Sequence, residues 1–396
     1  MKILFLSDVP MKDPSSGSER VLYEQAAGFF HKGFEVYAIT RSNGSPGLIL
    51  RNTGGVYEAC YNAPVDKIFV FLSSLIKFPV KLYRQFTGTM LFNLIICHQP
   101  FTCAVLLLLA DIRKIPILYV FHSPSHEEYL LLNHGKKRFL NFCHIHARRF
   151  IEAFCMKKAF KIITLSSYMK KKAGIIHKIP EHKIIVNPGG VDLEYFQLTL
   201  DQEKLKHKLN FPGSKIHLLT IRNLEPRMGL DNLLKAVFIL KQKLDIYLVI
   251  GGQGSQRKIL ENMINDLDLK EQVVMPGYLP PRLLPDYYGA SDFFILPTLN
   301  LEGFGLVTIE SMACGTPVLG TPVGGTKEIL SGFNKQFIFK DSSPESMVMG
   351  IEKNIEQYMK DKKAYGMLRY QCRKYAVENY SWERHVNLLA GIVNKN

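Results

Sequence analysis

Glu302 and Glu310 stand eight residues apart within residues 297–315, PTLNLEGFGLVTIESMACG. An apolar run ends at Leu296, and helical spacing takes over at Leu306, Ile309, Met312 and Ala313. On one continuous helix the two carboxylates would lie about 12 Å apart along the axis, beyond the roughly 5–9 Å separation of a glycosidase pair. A hydrolytic pair is therefore disfavoured. With Glu302 on a loop, the flexible Gly303 and Gly305 bring backbone amides and a helix N-terminus close to a phosphate. Glu310, inside the helix, can then accept from ribose hydroxyls. That constellation reads as a nucleoside-diphosphate cradle, set against the plainer reading of Glu310 as a glutamate on a helix surface.

Other residues of chemical type are fewer. His122 follows the apolar run 117–121 and so ends a strand, a position that faces the ligand edge of a doubly wound sheet; a lone structural histidine is the alternative. Ser16-x-x-Glu19 fits a capping box and places a helix N-terminus at the first loop. Asp266-x-Asp268 imitates a metal-binding pair but falls at the end of an amphipathic helix. His144 and His146 are two apart, the wrong spacing for one helical face, and no H-E-x-x-H occurs. The seven cysteines are odd in number and include no C-x-x-C. No metal site and no cofactor are expected.

The elements that must position these residues are short apolar runs alternating with helical stretches. Runs at 3–6, 35–40, 94–97, 117–121, 162–165 and 184–186 make one series, and runs at 216–221, 246–250, 273–274, 293–296 and 318–319 make a second. Helical spacing at 230–240 and 255–267 separates members of the second series. This is α/β architecture: two doubly wound Rossmann-like domains facing each other across a cleft, with ligands at the carboxyl ends of the strands. The expected limits are 1–190, 191–375, and a C-terminal helix within 376–396 that packs back on the first domain.

The chain has 396 residues, 47% of them hydrophobic and 21% charged, which excludes a disordered or fibrous protein. MKILFLSDVP falls short of a signal peptide, and the longest apolar run, 101–110, is half a membrane span. Cysteine usage and these absences point to the cytoplasm. Lys+Arg exceed Asp+Glu by 15, and residues 136–172 hold eleven Lys/Arg against Glu152 alone, a local +10. Phe139, Leu140, Phe142, Phe150, Ile151, Phe154 and Met156 interleave with that block at near-helical spacing, and residues 67–86 have the same basic and aromatic character. Both segments suit an anionic membrane surface, a solvated helical face being the alternative. Neither has the stacking platform or helix-turn-helix context of a nucleic-acid binder.

The series EGFGLVTIE followed by SMACGTPVLGTPVGGTKEIL resembles the donor-site signature of retaining glycosyltransferases of family 4, which have the GT-B fold. SGSERVLYEQAAGFFHKGFEVYAIT, FHSPSHEEY, VNPGGVDLEYF, IRNLEPRMGLDNLLKA, LVIGGQGSQ and VVMPGYLPPRLLPDYYGASDFFILPT fall in that family's order along nearly the whole chain. The resemblance implies metal-independent transfer of a hexose-type sugar, with retention, from a nucleoside-diphosphate sugar, UDP before GDP, to an acceptor hydroxyl. The acceptor would be a glycan or a lipid-linked precursor at the cytoplasmic membrane face. A non-catalytic GT-B partner protein is the rival.

By the same resemblance Arg222 is the cation at the leaving diphosphate, Glu302 lies near the donor sugar and phosphate, and Glu310 binds ribose. Gly303, Phe304, Gly305 and Leu306 supply amides, Gly17 allows close approach in the first loop, and the backbone of Tyr278 and Leu279 meets the base. His122 touches the donor sugar or reacting centre, making His122, Glu302 and Arg222 the catalytic set, while Glu127 or Glu128 lies on the acceptor side. The family's lysine is replaced here by Met228, with Arg227 next door as a substitute cation or a solvated surface residue.

Overall fold

The structure, a computed structural model, describes residues 1–394 other than 15, 44, 65–66, 89–90, 133–137 and 214. Residues 136–137 of the basic block, and the side chains of Phe139 and Leu140, lie outside that set. The chain divides into two units, Met1–Gly189 with Trp382–Asn396, and Gly190–Ser381.

The first unit is built on strands β1 (Lys2–Leu6), β2 (Glu35–Ser42), β3 (Gly47–Thr53), β4 (Val56–Asn62), β5 (Leu94–Cys97), β6 (Ile117–Phe121), β7 (Lys161–Thr164) and β8 (Ile184–Val186). They lie in the order β3-β4-β2-β1-β5-β6-β7-β8. All neighbours are parallel except β3 and β4. Central strands are buried on both faces and read as unbroken apolar runs, as covered parallel strands must. The capping box is formed: the Glu19 amide donates to Ser16 Oγ and the Ser16 amide to the Glu19 carboxylate, which opens the helix Gly17–His31.

The antiparallel hairpin β3–β4 is absent from the expected strands. Its pattern is broken because β4 buries Glu58, whose carboxylate takes Arg51 Nε at 2.6 Å and the Thr40 and Thr53 hydroxyls at 2.6 and 2.9 Å. A buried charge in the middle of a strand hides its apolar alternation.

The second unit holds β9 (Ile216–Ile221), β10 (Ile246–Gly251), β11 (Val273–Gly277), β12 (Phe293–Leu296) and β13 (Val318–Gly320), parallel throughout, in the order β11-β10-β9-β12-β13. The helix Leu230–Leu240 has the expected bounds, and Arg257–Asp266 falls within the expected 255–267. The strand order reverses direction between β9 and β12, and in the first unit between β1 and β5.

The expected limit after residue 375 is corrected, because it cuts the helix Lys362–Asn379, which belongs to the second unit. The return to the first unit begins at Trp382, whose helix Trp382–Val393 places Leu389, Ala390 and Val393 in one core with Ile3, Phe5, Leu22 and Phe29. No described helix is long and apolar enough to cross a membrane.

Leu389 has no exposed surface. Leu389→Ala should destabilise the first unit by about 2–5 kcal/mol, seen as an earlier transition in urea unfolding followed by fluorescence; an unchanged midpoint would mean that the returning helix only rests on the surface.

Candidate functional site

Ligands of open α/β sheets bind outside the carboxyl ends of the strands where the strand order reverses. In the second unit that point lies between β9 and β12, and it is spanned by one ion pair. Arg222 directly follows β9, its amide donating to the Gly251 carbonyl at 2.9 Å. Glu302 lies on the loop after β12. Arg222 Nη2 meets Glu302 Oε2 at 2.6 Å, with side chains 6% and 12% exposed. Met228 is buried and its Sδ lies 3.0 Å from the same Nη2. Arg222 Nη1 is buried with no hydrogen-bond partner among the described residues. The guanidinium is thus fixed by one carboxylate, crowded by a thioether, and left with an unused donor.

The loop that carries Glu302 is held from several sides. Arg227 Nη1 donates to the Leu301 carbonyl at 2.9 Å, and the Leu299 amide to the Arg227 carbonyl at 2.8 Å. Arg227 thus ties this loop through backbone at two points, Leu301 and Leu299. Thr298 Oγ1 donates to Glu302 Oε2 at 3.3 Å. Gly324 (φ +60) approaches so closely that a Cβ there would stand 2.0 Å from the Glu302 carbonyl oxygen. Gly305, at φ +94, starts the helix Leu306–Ala313, and a Cβ on it would meet Thr326 Oγ1 at 2.5 Å. Gly303 and Phe304 complete the turn, so the predicted segment 303–306 does lead from loop into helix. Loop conformation is dictated here by backbone contact, which only glycine allows.

Glu310 sits inside that helix and accepts from the hydroxyl of the fully buried Tyr288 at 3.0 Å. Burial, and then the Glu310 carboxylate, push the Tyr288 phenol well above its usual range, so it stays a donor. Tyr278 is half exposed just past β11, and Leu279 is buried against Gly251. Asp266 ends its helix and Asp268 lies 3.7 Å from Lys241, so the two aspartates mark a helix end. Among the described residues no group of three His, Cys, Asp or Glu could hold a metal ion.

In the first unit Gly17 is the exposed first residue of its helix. His122 follows β6, and its Nε2 lies 3.0 Å from Nδ1 of His98, which follows the neighbouring strand β5. Burial, and then His385, bring the His122 ring down to about 4, so it is neutral near pH 7. Glu127 pairs with Lys172, and Glu128 accepts from Ser123.

The basic block divides. Arg148 stacks between the rings of Phe101 at 4.9 Å and Tyr129 at 4.8 Å, Arg149 Nη2 donates to the Ile176 carbonyl at 2.8 Å, and Glu152 is buried 2.9 Å from His177. Arg148 is a packing residue, whereas Arg149, Phe142 and Phe150 are exposed. Met228 as a neighbour of Arg222, Tyr288 beneath Glu310, and His98 behind His122 were not foreseen; only His98, a histidine next to a strand end, carried a visible signal.

Two mainly parallel, doubly wound sheets, one of them with a fixed arginine and a glycine-bound loop at its switch point, define a protein with two Rossmann-like domains. Residues 201–376 match the family described as glycosyl transferases group 1, and residues 15–195 match glycosyltransferase family 4. An uncharacterized glycosyltransferase of Methanocaldococcus jannaschii is 27% identical over 248 residues, 60% of this chain and 60% of that protein. The chain thus matches less than two thirds of that relative's length. The sucrose-phosphate synthase of Thermosynechococcus elongatus superposes with a TM-score of 0.79 at 20% identity, covering 100% of this chain and 99% of the other. The Anabaena protein HepE, solved in complex with UDP and glucose, gives 0.76 at 17% identity with both chains covered to 100%. By these two matches together the chain belongs to glycosyltransferase family 4, and its fold is GT-B.

Removing one partner of a buried ion pair leaves the other uncompensated, at about 3–5 kcal/mol. Arg222→Ala should therefore destabilise the second unit by that order, and the double variant with Glu302→Gln should recover most of it in a double-mutant cycle. Additive losses would show that the two side chains do not depend on each other.

His385 is 2% exposed, and burial lowers its pKa to about 4, with a partial offset from its bond to the Pro188 carbonyl. The unfolded chain binds this proton near pH 6.5, so the stability due to the neutral ring is full above pH 6.5. It is lost as pH falls towards 4, by on the order of 3 kcal/mol. Denaturation midpoints between pH 7 and 4 should fall less steeply for His385→Gln than for the parent.

Proposed function

We propose that the protein transfers a hexose-type sugar, with retention and without a metal, from a UDP-sugar to an acceptor hydroxyl on a glycan or lipid-linked precursor at the cytoplasmic face of a membrane. The observation that carries the reading is the Arg222–Glu302 pair across the switch point, with Nη1 buried and unused. As the glycosidic bond breaks, the leaving diphosphate gains charge, and a preorganised guanidinium stabilises it by about 3–4 kcal/mol in a site closed to water. The carbon–phosphate-oxygen bond breaks, the acceptor oxygen bonds to the same face of the anomeric carbon, and the acceptor proton passes to the departing phosphate. Glu302, held by Arg222, orients the cation and serves the donor sugar. Glu310, held by Tyr288, serves the ribose, and the neutral His122 serves a sugar hydroxyl. HepE, bound to UDP and glucose, supports UDP as the carrier.

Membrane attachment is supported by the helix Ile68–Thr87. Leu75, Leu82 and Tyr83 are buried, while Phe69 is 84% and Ile76 60% exposed, with Leu72 beside them and Lys67, Lys77, Lys81 and Arg84 exposed. An exposed apolar stripe flanked by cations fits an anionic interface. The non-catalytic alternative is favoured by Met228 standing where the family has lysine.

Mass spectrometry of UDP- and GDP-sugars with lipid-linked acceptors on anionic vesicles decides between them: the reading requires UDP release coupled to a glycosylated lipid, and no turnover of any donor would leave the partner role. Arg222→Lys should reduce kcat by about 10²-fold, since a point charge does not reproduce the guanidinium fork. The double variant Phe69→Ser with Ile76→Ser should leave the vesicle pellet in co-sedimentation, and equal pelleting would remove this helix from the membrane surface.

A further inference from the structure

A line of buried polar side chains runs behind His122. His98 engages both ring nitrogens, Nδ1 with His122 Nε2 at 3.0 Å and Nε2 with Gln25 Oε1 at 3.1 Å. Gln25, on the helix Gly17–His31, has no exposed surface, and its Nε2 lies 2.9 Å from His385 Nε2. His385, on the returning helix Trp382–Val393, has Nδ1 2.7 Å from the Pro188 carbonyl oxygen, and its own carbonyl accepts from Asn187 Nδ2 at 3.0 Å. The line therefore begins at the backbone of Pro188 and ends at the carboxyl end of β6.

The carbonyl gives the line a direction. A carbonyl oxygen only accepts, so His385 carries its proton on Nδ1 and presents a lone pair at Nε2. The Gln25 amide nitrogen donates to that lone pair, which leaves Gln25 Oε1 to accept from His98 Nε2–H. His98 then has its lone pair on Nδ1 and accepts from His122 Nε2–H. Reversing the order would set a ring lone pair against the Pro188 carbonyl. Burial lowers the pKa of all three rings, so each is neutral, with one donor and one acceptor nitrogen.

We propose that His385, Gln25 and His98 are positioning residues that fix His122 as the Nε2–H tautomer, so that His122 offers the Nδ1 lone pair to a substrate hydroxyl. His122 Nδ1 has no partner among the described residues, and the residue is partly exposed at the edge where doubly wound sheets take ligands. The role of the hydroxyl rests on the sugar-transfer reading; the tautomer does not. His122 in this state is an acceptor and carries no charge.

The test is long-range proton–nitrogen NMR on the full chain labelled with 15N-histidine at neutral pH, assigned with His98→Gln, His122→Gln and His385→Gln. Nδ1–H at His385 and Nε2–H at His98 and His122 are expected. Gln25→Leu removes both bonds, so His98 and His122 should become tautomer mixtures and kcat/KM should fall about tenfold, the worth of one hydrogen bond. Gln25→Glu still accepts from His98 and should keep the His98 and His122 tautomers and most of the rate, while His385 becomes doubly protonated. A merely structural role for position 25 would give the opposite ranking, since buried leucine is better tolerated than buried charge. Nδ1–H at His122 in the parent, or an unchanged tautomer in Gln25→Leu, overturns the proposal. The parent's tautomers decide it even if Gln25→Leu fails to fold or if no nucleotide sugar is turned over.

Discussion

The Arg222–Glu302 pair is the constraint around which the second unit's site is arranged. A guanidinium that is 6% exposed must be compensated, and the single carboxylate that does so is delivered by a loop with almost no conformational choice. Gly324 presses on its backbone, Arg227 holds the Leu301 carbonyl, and Gly305 turns the chain into the next helix. Each tie is made by backbone or by a side chain acting on backbone, so the loop geometry survives exchange of most exposed side chains nearby. The resting pair is close to electrically neutral. An incoming diphosphate meets the arginine's unused Nη1 while Glu302 holds Nη2, and Met228 adds no charge to help it.

Much of this was legible from residue order. Buried parallel strands write themselves as apolar runs, which is why β9, β12 and the residues that follow them were found, and Glu302 on a loop followed from the strand end at Leu296. The capping box at Ser16 and Glu19 was legible because both partners lie within one turn. What escaped reading depends on distant partners. Gln25 and His385 are 360 positions apart, and nothing in the residue order pairs them. The hairpin β3–β4 was hidden by Glu58, a charge that makes sense only once Arg51, Thr40 and Thr53 surround it. Arg148 reads as surface charge because sequence cannot show that two aromatic rings await it.

The two basic segments, alike in composition, thus have different physics. In the helix Arg138–Lys158 arginines fasten neighbouring elements, and the only acid of the block is buried. In the helix Ile68–Thr87 the cations stay in water around an apolar stripe that nothing described covers. Counting charge along the chain weights the two equally; counting what each charge touches does not.

The returning helix has a consequence for how the protein comes into being. Residues 190–381 form the second unit from one uninterrupted stretch, whereas the first unit needs residues 382–393 to close its core over Ile3, Phe5 and Phe29. During synthesis the first-made half therefore waits, with apolar surface uncovered, while the later half is translated and can already fold. At about 5–20 residues per second that interval lasts on the order of ten seconds or more. A nascent chain in this state presents that uncovered apolar face beside the ribosome.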